Sequence, residues 1–173
     1  MYAYRQNLTP PVVKNLIIAN CVALLATTLL PIGDELLTRF ALFNVESPLF
    51  HSYQLFTYMF LHGGVSHLFF NMFALWMFGR TLEYELGTKR FLIYYFVCGV
   101  GAALFQMAVA WAASEYYFTM LGASGATMGL LMAFGVMHPN NQIFIFPIPM
   151  PIKAKWFVIG YIVLEVLQGW GVA

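Results

Sequence analysis

The sequence predicts an all-α fold, a polytopic transmembrane helix bundle, and its composition and long uncharged stretches both indicate this. Of the 173 residues, 61% are hydrophobic and only 9% are charged, whereas soluble domains carry roughly 25% charged residues. Residues 15–33 and 91–114 contain no Asp, Glu, Lys or Arg, and each stretch is long enough to cross about 30 Å of hydrocarbon as a helix. The chain length leaves room for one membrane domain over residues 1–173.

The predicted spans are approximately 15–33, 66–86, 89–114, 122–138 and 155–171. We expect Ser66 to be the N-cap of the second span and Gly87 its stop. Prolines 147, 149 and 151 predict an extended connection before the fifth span. That span carries one charge, Glu165, for which we expect a structural polar contact or a place facing the bundle interior.

The basic residues predict the orientation, because seven of the eight fall on one side of this topology and only Arg39 on the other. The positive-inside rule makes the N-terminus cytoplasmic. Residues 34–65 then form an outer loop that is apolar enough to lie in the membrane interface, the alternative being a loop that only seals the helix tops. The net charge of +1 gives no reason to expect a nucleic-acid partner.

Three polar residues within the spans are candidates for chemistry, since polar groups are costly there. His67 and Asn71 share one helix face, with Asn71 about 6 Å deeper. Ser124 opens the short fourth helix, and the topology puts it at the same end of the bundle at a similar depth. A helix N-terminus supplies free N–H groups and His or Asn supplies further donors, so this arrangement suits hydrolysis by a serine nucleophile.

Each motif also has a structural interpretation. Gly125 and Gly129 form a small-residue stripe that would let two membrane helices pack closely, and Ser124 could bond a neighbouring carbonyl. His67 and Asn71 could be an interfacial histidine and an interhelical hydrogen bond. Their joint placement favours a site.

At these residues the sequence resembles the rhomboid family of intramembrane serine proteases. The family's G-x-S-G-x-x-x-G motif corresponds to 122–129, its H-x-x-x-N motif to 67–71 and its G-x-x-x-E motif to 79–83. The stretches 55–64 and 147–155 look like bacterial members. The resemblance covers essentially the whole chain.

The resemblance implies a six-helix bundle of which this chain holds five spans. Ser124 would be the nucleophile, within the motif glycines Gly122 and Gly125, and His67, Asn71 and the Ser124 backbone N–H would form the oxyanion hole. The partners would be transmembrane protein substrates and the lipid bilayer, in a bacterial inner membrane. The resemblance implies neither a metal nor an organic cofactor. A metalloprotease is disfavoured as well, because His62-x-x-x-x-His67 lacks the H-E-x-x-H pattern and a third ligand.

The family's general base is a histidine on the sixth span, and this chain stops at Ala173 in the loop that should lead there. We therefore expect an N-terminal portion that is hydrolytically silent as given. His138 lies 14 residues along the same helix from Ser124, about 21 Å away, and cannot replace the base. His51 and His62 lie in the outer loop, where geometry does not exclude them but spacing gives no support, and His62 is expected to order the loop.

Two further departures concern side chains near the site. Met128 stands where the family often has a tyrosine that packs on the catalytic histidine. Gln54 stands where many members have an arginine that pairs with the glutamate at position 83, so we expect the first loop to be anchored differently.

Two hypotheses follow. The leading one is an intramembrane serine endopeptidase, and the alternative is a rhomboid-like pseudoprotease that binds membrane clients without cutting them. A histidine in a natural sixth span would favour the enzyme. A transporter or channel would place ionisable residues along several spans, and this sequence has almost none there.

Overall fold

The computed structural model describes residues 9–114, 117–144 and 151–170, without the side chains of 161 and 164–170. The chain divides into two compact units, Met1–Leu130 and Leu131–Ala173, and each unit is described by itself. One membrane domain over 1–173 stays a prediction. The expected contact of Glu165 and the extended connection at 147 and 149 lie outside what is described.

The first unit is built from helices joined by short turns. In chain order it contains α1 Pro11–Leu29, α2 Gly33–Phe40, β1 Leu42–Phe43, α3 Gln54–Thr57, a 3₁₀ turn Tyr58–Phe60, α4 Val65–Ala74, a π-helical segment Leu75–Gly79, α5 Arg80–Leu86, α6 Thr88–Ala112 and β2 Thr119–Met120. Helix α7, Ser124–Met137, begins in this unit. The largest fully buried side chains here include Tyr58, Tyr95 and Phe91.

Among the described helices, α1 and α6 are long and apolar enough to cross a membrane. Their 19 and 25 residues rise about 28 and 38 Å. Helix α1 begins four residues before the predicted span, because Pro11 suits the first helical turn, where N–H groups have no intrahelical partner. Both helices carry exposed apolar side chains suited to lipid contact, including Val22, Leu25, Val97 and Phe105.

The predicted second span is one helical run from Val65 to Leu86, interrupted by the π-helical segment. Ser66 is not the N-cap: Gly64 precedes the first helical residue, so Ser66 lies inside the first turn, and no side chain caps this end. The stop at Gly87 is confirmed, because this residue has φ 79° and its N–H bonds the Glu83 carbonyl.

The first loop is folded rather than irregular, and Gln54 holds it together. The Gln54 side chain, only 1% exposed, donates from Nε2 to the carbonyls of Leu49 (2.8 Å) and Arg39 (3.2 Å). Its Oε1 accepts from the backbone N–H groups of His51 (3.2 Å) and Phe43 (3.5 Å). All four bonds go to backbone groups of the same loop, which satisfies the buried amide.

Glu83 bonds the start of α1 and not the first loop, which confirms that the first loop is anchored differently. Its carboxylate is 2% exposed and accepts from the N–H groups of Val12 (3.0 Å) and Val13 (2.8 Å) at the start of α1. The Thr88 hydroxyl donates a third bond at 3.3 Å. A carboxylate is favourable there because the first N–H groups of a helix lack partners and carry partial positive charge.

The second unit contains the end of α7, a short hairpin and a further helix. Strands β3 Gln142–Ile143 and β4 Ile152–Lys153 pair antiparallel, with Gln142 opposite Lys153. Helix α8 runs over Ala154–Trp170. The Ala154 N–H bonds the Asn141 carbonyl at 2.8 Å, which fixes the start of α8 on the hairpin.

Replacing Glu83 with alanine removes a buried acceptor and leaves two N–H groups of α1 unsatisfied. We expect Glu83→Ala to lower the free energy of unfolding by about 2 kcal/mol or more, measured by denaturant titration in detergent. Glu46→Gln, at an exposed carboxylate of the first loop, is the control and should change little. Equal midpoints for the two variants would contradict the anchoring role.

Candidate active site

Ser124 is the first residue of α7 and is half-buried. Its backbone N–H therefore belongs to the helix turn that has no intrahelical acceptors. The turn before it contains Gly122 at φ 119°, a conformation that side-chain-bearing residues rarely adopt. The Gly122 N–H bonds the Tyr58 carbonyl at 3.0 Å, which ties this turn to the first loop.

The His67 ring lies directly against this turn. A Cβ atom on Gly122 would stand 2.8 Å from both Cε1 and Nε2 of His67. Only a glycine leaves room for the ring at this distance. The imidazole of His67 in α4 therefore lies next to the backbone of Gly122, two residues before Ser124.

One contact of His67 indicates which ring nitrogen carries the proton. The Gly63 N–H approaches Nδ1 at 3.4 Å, a long hydrogen bond that favours Nδ1 as the acceptor. In the neutral ring the proton is then on Nε2, the nitrogen that faces Gly122. His67 is thus oriented as a hydrogen-bond donor towards the turn.

Asn71 is joined to the serine helix through Thr127. The Thr127 hydroxyl lies 3.4 Å from Asn71 Oδ1 and 3.0 Å from the Ser124 carbonyl, and its single proton can be donated to either. Asn71 Nδ2 donates to the His67 carbonyl at 2.9 Å. One N–H of this amide remains for a further acceptor, in a residue only 6% exposed.

The motif glycines after Ser124 have a packing role. A Cβ atom on Gly125 would collide with Ala102 Cβ, and one on Gly129 with Cys98 Sγ, so both glycines let α7 approach α6 closely. The Tyr94 hydroxyl also donates to the Gly129 carbonyl at 2.8 Å. The structural interpretation of the stripe therefore applies to these two glycines, while the contacts with His67 and Asn71 are made by Gly122 and Thr127 on either side of Ser124.

The loop histidines have different surroundings. His51 is exposed, packs on Tyr53 and has its Nδ1 2.6 Å from its neighbour's carbonyl at Phe50. His62 is 2% exposed, its ring centroid is 5.1 Å from that of His67, and neither nitrogen has a hydrogen-bond partner among the described residues. Burial, with a smaller contribution from His67, lowers the pKa of His62 to about 4, and the Phe60 backbone opposes this shift only weakly. This imidazole is therefore neutral at pH 7.

Sequence reasoning missed Tyr58, Gly63 and Thr127. Thr127 had a detectable signal, since it is a polar residue one turn after Ser124 in an apolar helix. Tyr58 and Gly63 had none, because they act through a backbone carbonyl and a backbone N–H. Within the described residues, no group of three or more His, Cys, Asp or Glu could hold a metal ion.

These features define an all-α integral membrane protein with a serine at the start of a short apolar helix. The turn before this serine lies against a histidine of a second helix, and Thr127 links the serine helix to an asparagine of that second helix. Residues 50–173 match the Rhomboid domain. The chain belongs to the rhomboid family, as the sequence motifs predict.

Named relatives include mitochondrial Rhomboid protein 1 of Saccharomyces cerevisiae, 35% identical over 96 residues, which is 53% of this chain and 27% of that protein. Rhomboid protease AarA of Providencia stuartii is 38% identical over 85 residues, 43% of this chain and 30% of that protein. Rhomboid protease GlpG of Pectobacterium atrosepticum is 26% identical over 129 residues, 75% of this chain and 46% of that protein. The chain therefore spans less than half the length of these relatives.

Gly122→Ala tests the close approach of His67 to the turn. The added methyl group must displace the ring and adopt a disfavoured φ, so we expect a loss of about 1–3 kcal/mol in the free energy of unfolding. Gly101→Ala in α6 is the matched control, because nothing lies within 4 Å of its Cβ position. Equal stability of the two variants, measured by thermal unfolding in detergent, would contradict this geometry.

The lowered pKa of His62 predicts a pH dependence of stability. Its pKa is about 4 when folded and about 6.5 when unfolded, so the unfolded state binds more protons between these values. Above pH 6.5 the neutral His62 does not lower the free energy of unfolding. As the pH falls from 6.5 towards 4, the free energy of unfolding decreases by up to about 1.4 kcal/mol per pH unit.

The measurement is the unfolding free energy from pH 7 to pH 4 for the unsubstituted chain and for His62→Gln. The difference between the two chains isolates His62, because the carboxylates are common to both. His51→Gln should retain the full slope. An unchanged slope in His62→Gln would show that another group is responsible.

Proposed function

We propose that this chain carries the nucleophile and the oxyanion hole of an intramembrane serine endopeptidase. One observation supports this most: the start of α7 lies against His67 at Gly122 and is linked to Asn71 through Thr127. The helix that begins at the proposed nucleophile is thus in contact with the helix that carries the proposed donors. Such preorganised donors stabilise the charge that develops when a serine attacks a carbonyl.

In the proposed mechanism, Ser124 Oγ attacks the scissile carbonyl carbon. The resulting oxyanion accepts from the Ser124 N–H, from Nε2–H of His67 and from the remaining N–H of Asn71. Gly122 admits the His67 ring, and Gly125 sets the depth at which α7 packs on α6. This chemistry needs no metal or cofactor.

The proton of Ser124 needs an acceptor. No described residue hydrogen-bonds the Ser124 hydroxyl, and Nδ1 of His67 faces the Gly63 N–H instead. We propose that the general base is a histidine outside this chain, as the family resemblance implies. The 173-residue chain alone is then expected to leave substrates uncut.

The proposed substrates are transmembrane proteins cleaved within or near their spans. Two of the relatives are named as rhomboid proteases, and they come from bacteria. A bacterial inner membrane and a cytoplasmic N-terminus are parts of the same proposal. The orientation depends on the seven basic residues that the topology puts on one side.

Labelling with a fluorophosphonate probe tests the proposal. The full-length gene product and the 173-residue chain are each labelled with and without the Ser124→Ala substitution. We expect the full-length protein to be labelled and its Ser124→Ala variant not. Asn71→Ala should slow labelling by roughly 10²-fold, because it removes one oxyanion donor.

Ser66→Ala is the matched control, since Ser66 is an exposed serine in the first turn of α4. It should leave labelling unchanged. Labelling that persists in Ser124→Ala would overturn the proposed nucleophile. A full-length protein that unfolds cooperatively but is not labelled would favour the client-binding pseudoprotease.

A further inference from the structure

A groove in the first loop lies between α2 and α3. Its volume is about 520 Å³. Ile32, Leu36, Phe40 and Tyr53 provide most of its apolar wall, and Glu35 and Arg39 line it as well. The groove therefore combines an apolar interior with one negative and one positive side chain.

Hydrogen bonds join the two walls of the groove and fix the distance between them. The Thr57 hydroxyl of α3 donates to the Phe40 carbonyl of α2 at 2.8 Å. Gln54 Nε2 donates to the Arg39 carbonyl at 3.2 Å, and the rings of Phe40 and Tyr53 are 6.0 Å apart. A ligand would thus enter a preformed site and would pay little for ordering it.

The groove lies where a membrane span ends. Helix α1 has 19 residues and ends at Leu29, and α2 begins four residues later at Gly33. A helix of that length covers about 28 Å, close to the hydrocarbon thickness. With α1 placed across the bilayer, the start of α2 would be at the level of the lipid headgroups. Leu29 and Ile32, exposed by 73% and 50%, would face acyl chains there.

The two charged side chains of the groove make no ion pair within the part of the chain that the structure describes. Glu35 and Arg39 are four residues apart on α2, a spacing at which opposite charges can pair. Neither forms an ion pair in the described part of the chain. Both are exposed at the groove and are free for a ligand that carries both charges.

We propose that this groove binds one zwitterionic phospholipid with a primary-amine headgroup. The Arg39 guanidinium would bind the phosphate with two N–H groups, and the Glu35 carboxylate would accept from the ammonium group. The apolar wall would take the start of an acyl chain. The two carboxylates of Asp34 and Glu35 exceed the single positive charge of Arg39, so α2 has a net negative charge. A lipid that carries only a negative charge is therefore disfavoured.

Native mass spectrometry of the 173-residue chain tests this, independently of any activity at Ser124. The chain is equilibrated in detergent with equal amounts of phosphatidylethanolamine, phosphatidylcholine and phosphatidylglycerol that have identical acyl chains. We expect phosphatidylethanolamine adducts to exceed those of the other two lipids. Arg39→Gln should weaken retention about tenfold, as expected for a lost charge-assisted contact.

Glu35→Gln should abolish the preference for the primary amine while phosphate binding persists. Glu46→Gln and Lys14→Gln, at exposed charges outside the groove, are the controls and should retain lipid normally. Leu36→Trp fills the groove without changing charge and should displace the lipid. Thermal unfolding without lipid checks that every variant folds.

Two results would overturn the proposal. One is equal retention of the three lipids that Arg39→Gln does not change, which would indicate non-specific adsorption. The other is a preference for phosphatidylglycerol that survives in Glu35→Gln, which would indicate a simple anion site.

Discussion

The hydrogen bond from the Gly122 N–H to the Tyr58 carbonyl is the contact on which the candidate site depends. The same tyrosine donates its hydroxyl to the Gly99 carbonyl of α6 at 2.7 Å. Burial raises the pKa of Tyr58 to about 12, so the hydroxyl stays a donor. One residue thus joins the first loop, α6 and the turn before Ser124. The turn that precedes Ser124 is therefore bonded to the first loop as well as continuous with α7.

A buried polar group without a partner is costly in an apolar chain. Several of the buried side chains avoid this cost by bonding the backbone of a different segment, although His62 has no hydrogen-bond partner among the described residues. Glu83 bonds the N-terminus of α1, Gln54 bonds its own loop, and Tyr58 bonds α6. Each contact also fixes the relative position of two segments. The same bonds that remove the cost of burial therefore make the first unit rigid around the site.

The meeting of His67, Asn71 and the start of α7 could be predicted, because helical spacing and topology alone bring them to one end of the bundle. Their chemical roles stay proposals. Ser66 was the wrong cap, since a glycine one position before the helix let it begin earlier. No residue type marks the π-helical segment at 75–79, and the partners of Gln54 and Glu83 depend on where distant backbone passes. The local sequence pattern does not indicate contacts with backbone that is distant along the chain.

The neighbouring imidazoles of His67 and His62 bear differently on two steps of the proposed mechanism, the stabilisation of the oxyanion and the transfer of the serine proton. His67 receives the Gly63 N–H at Nδ1, so its Nε2 can donate but has no free lone pair to accept the serine proton. His62 is neutral but buried, 5.1 Å from the His67 ring. In the proposed mechanism the described residues would therefore supply donors for an oxyanion and leave proton acceptance to another group. A protease and a client-binding relative could share this geometry unchanged, since a single proton acceptor would distinguish them.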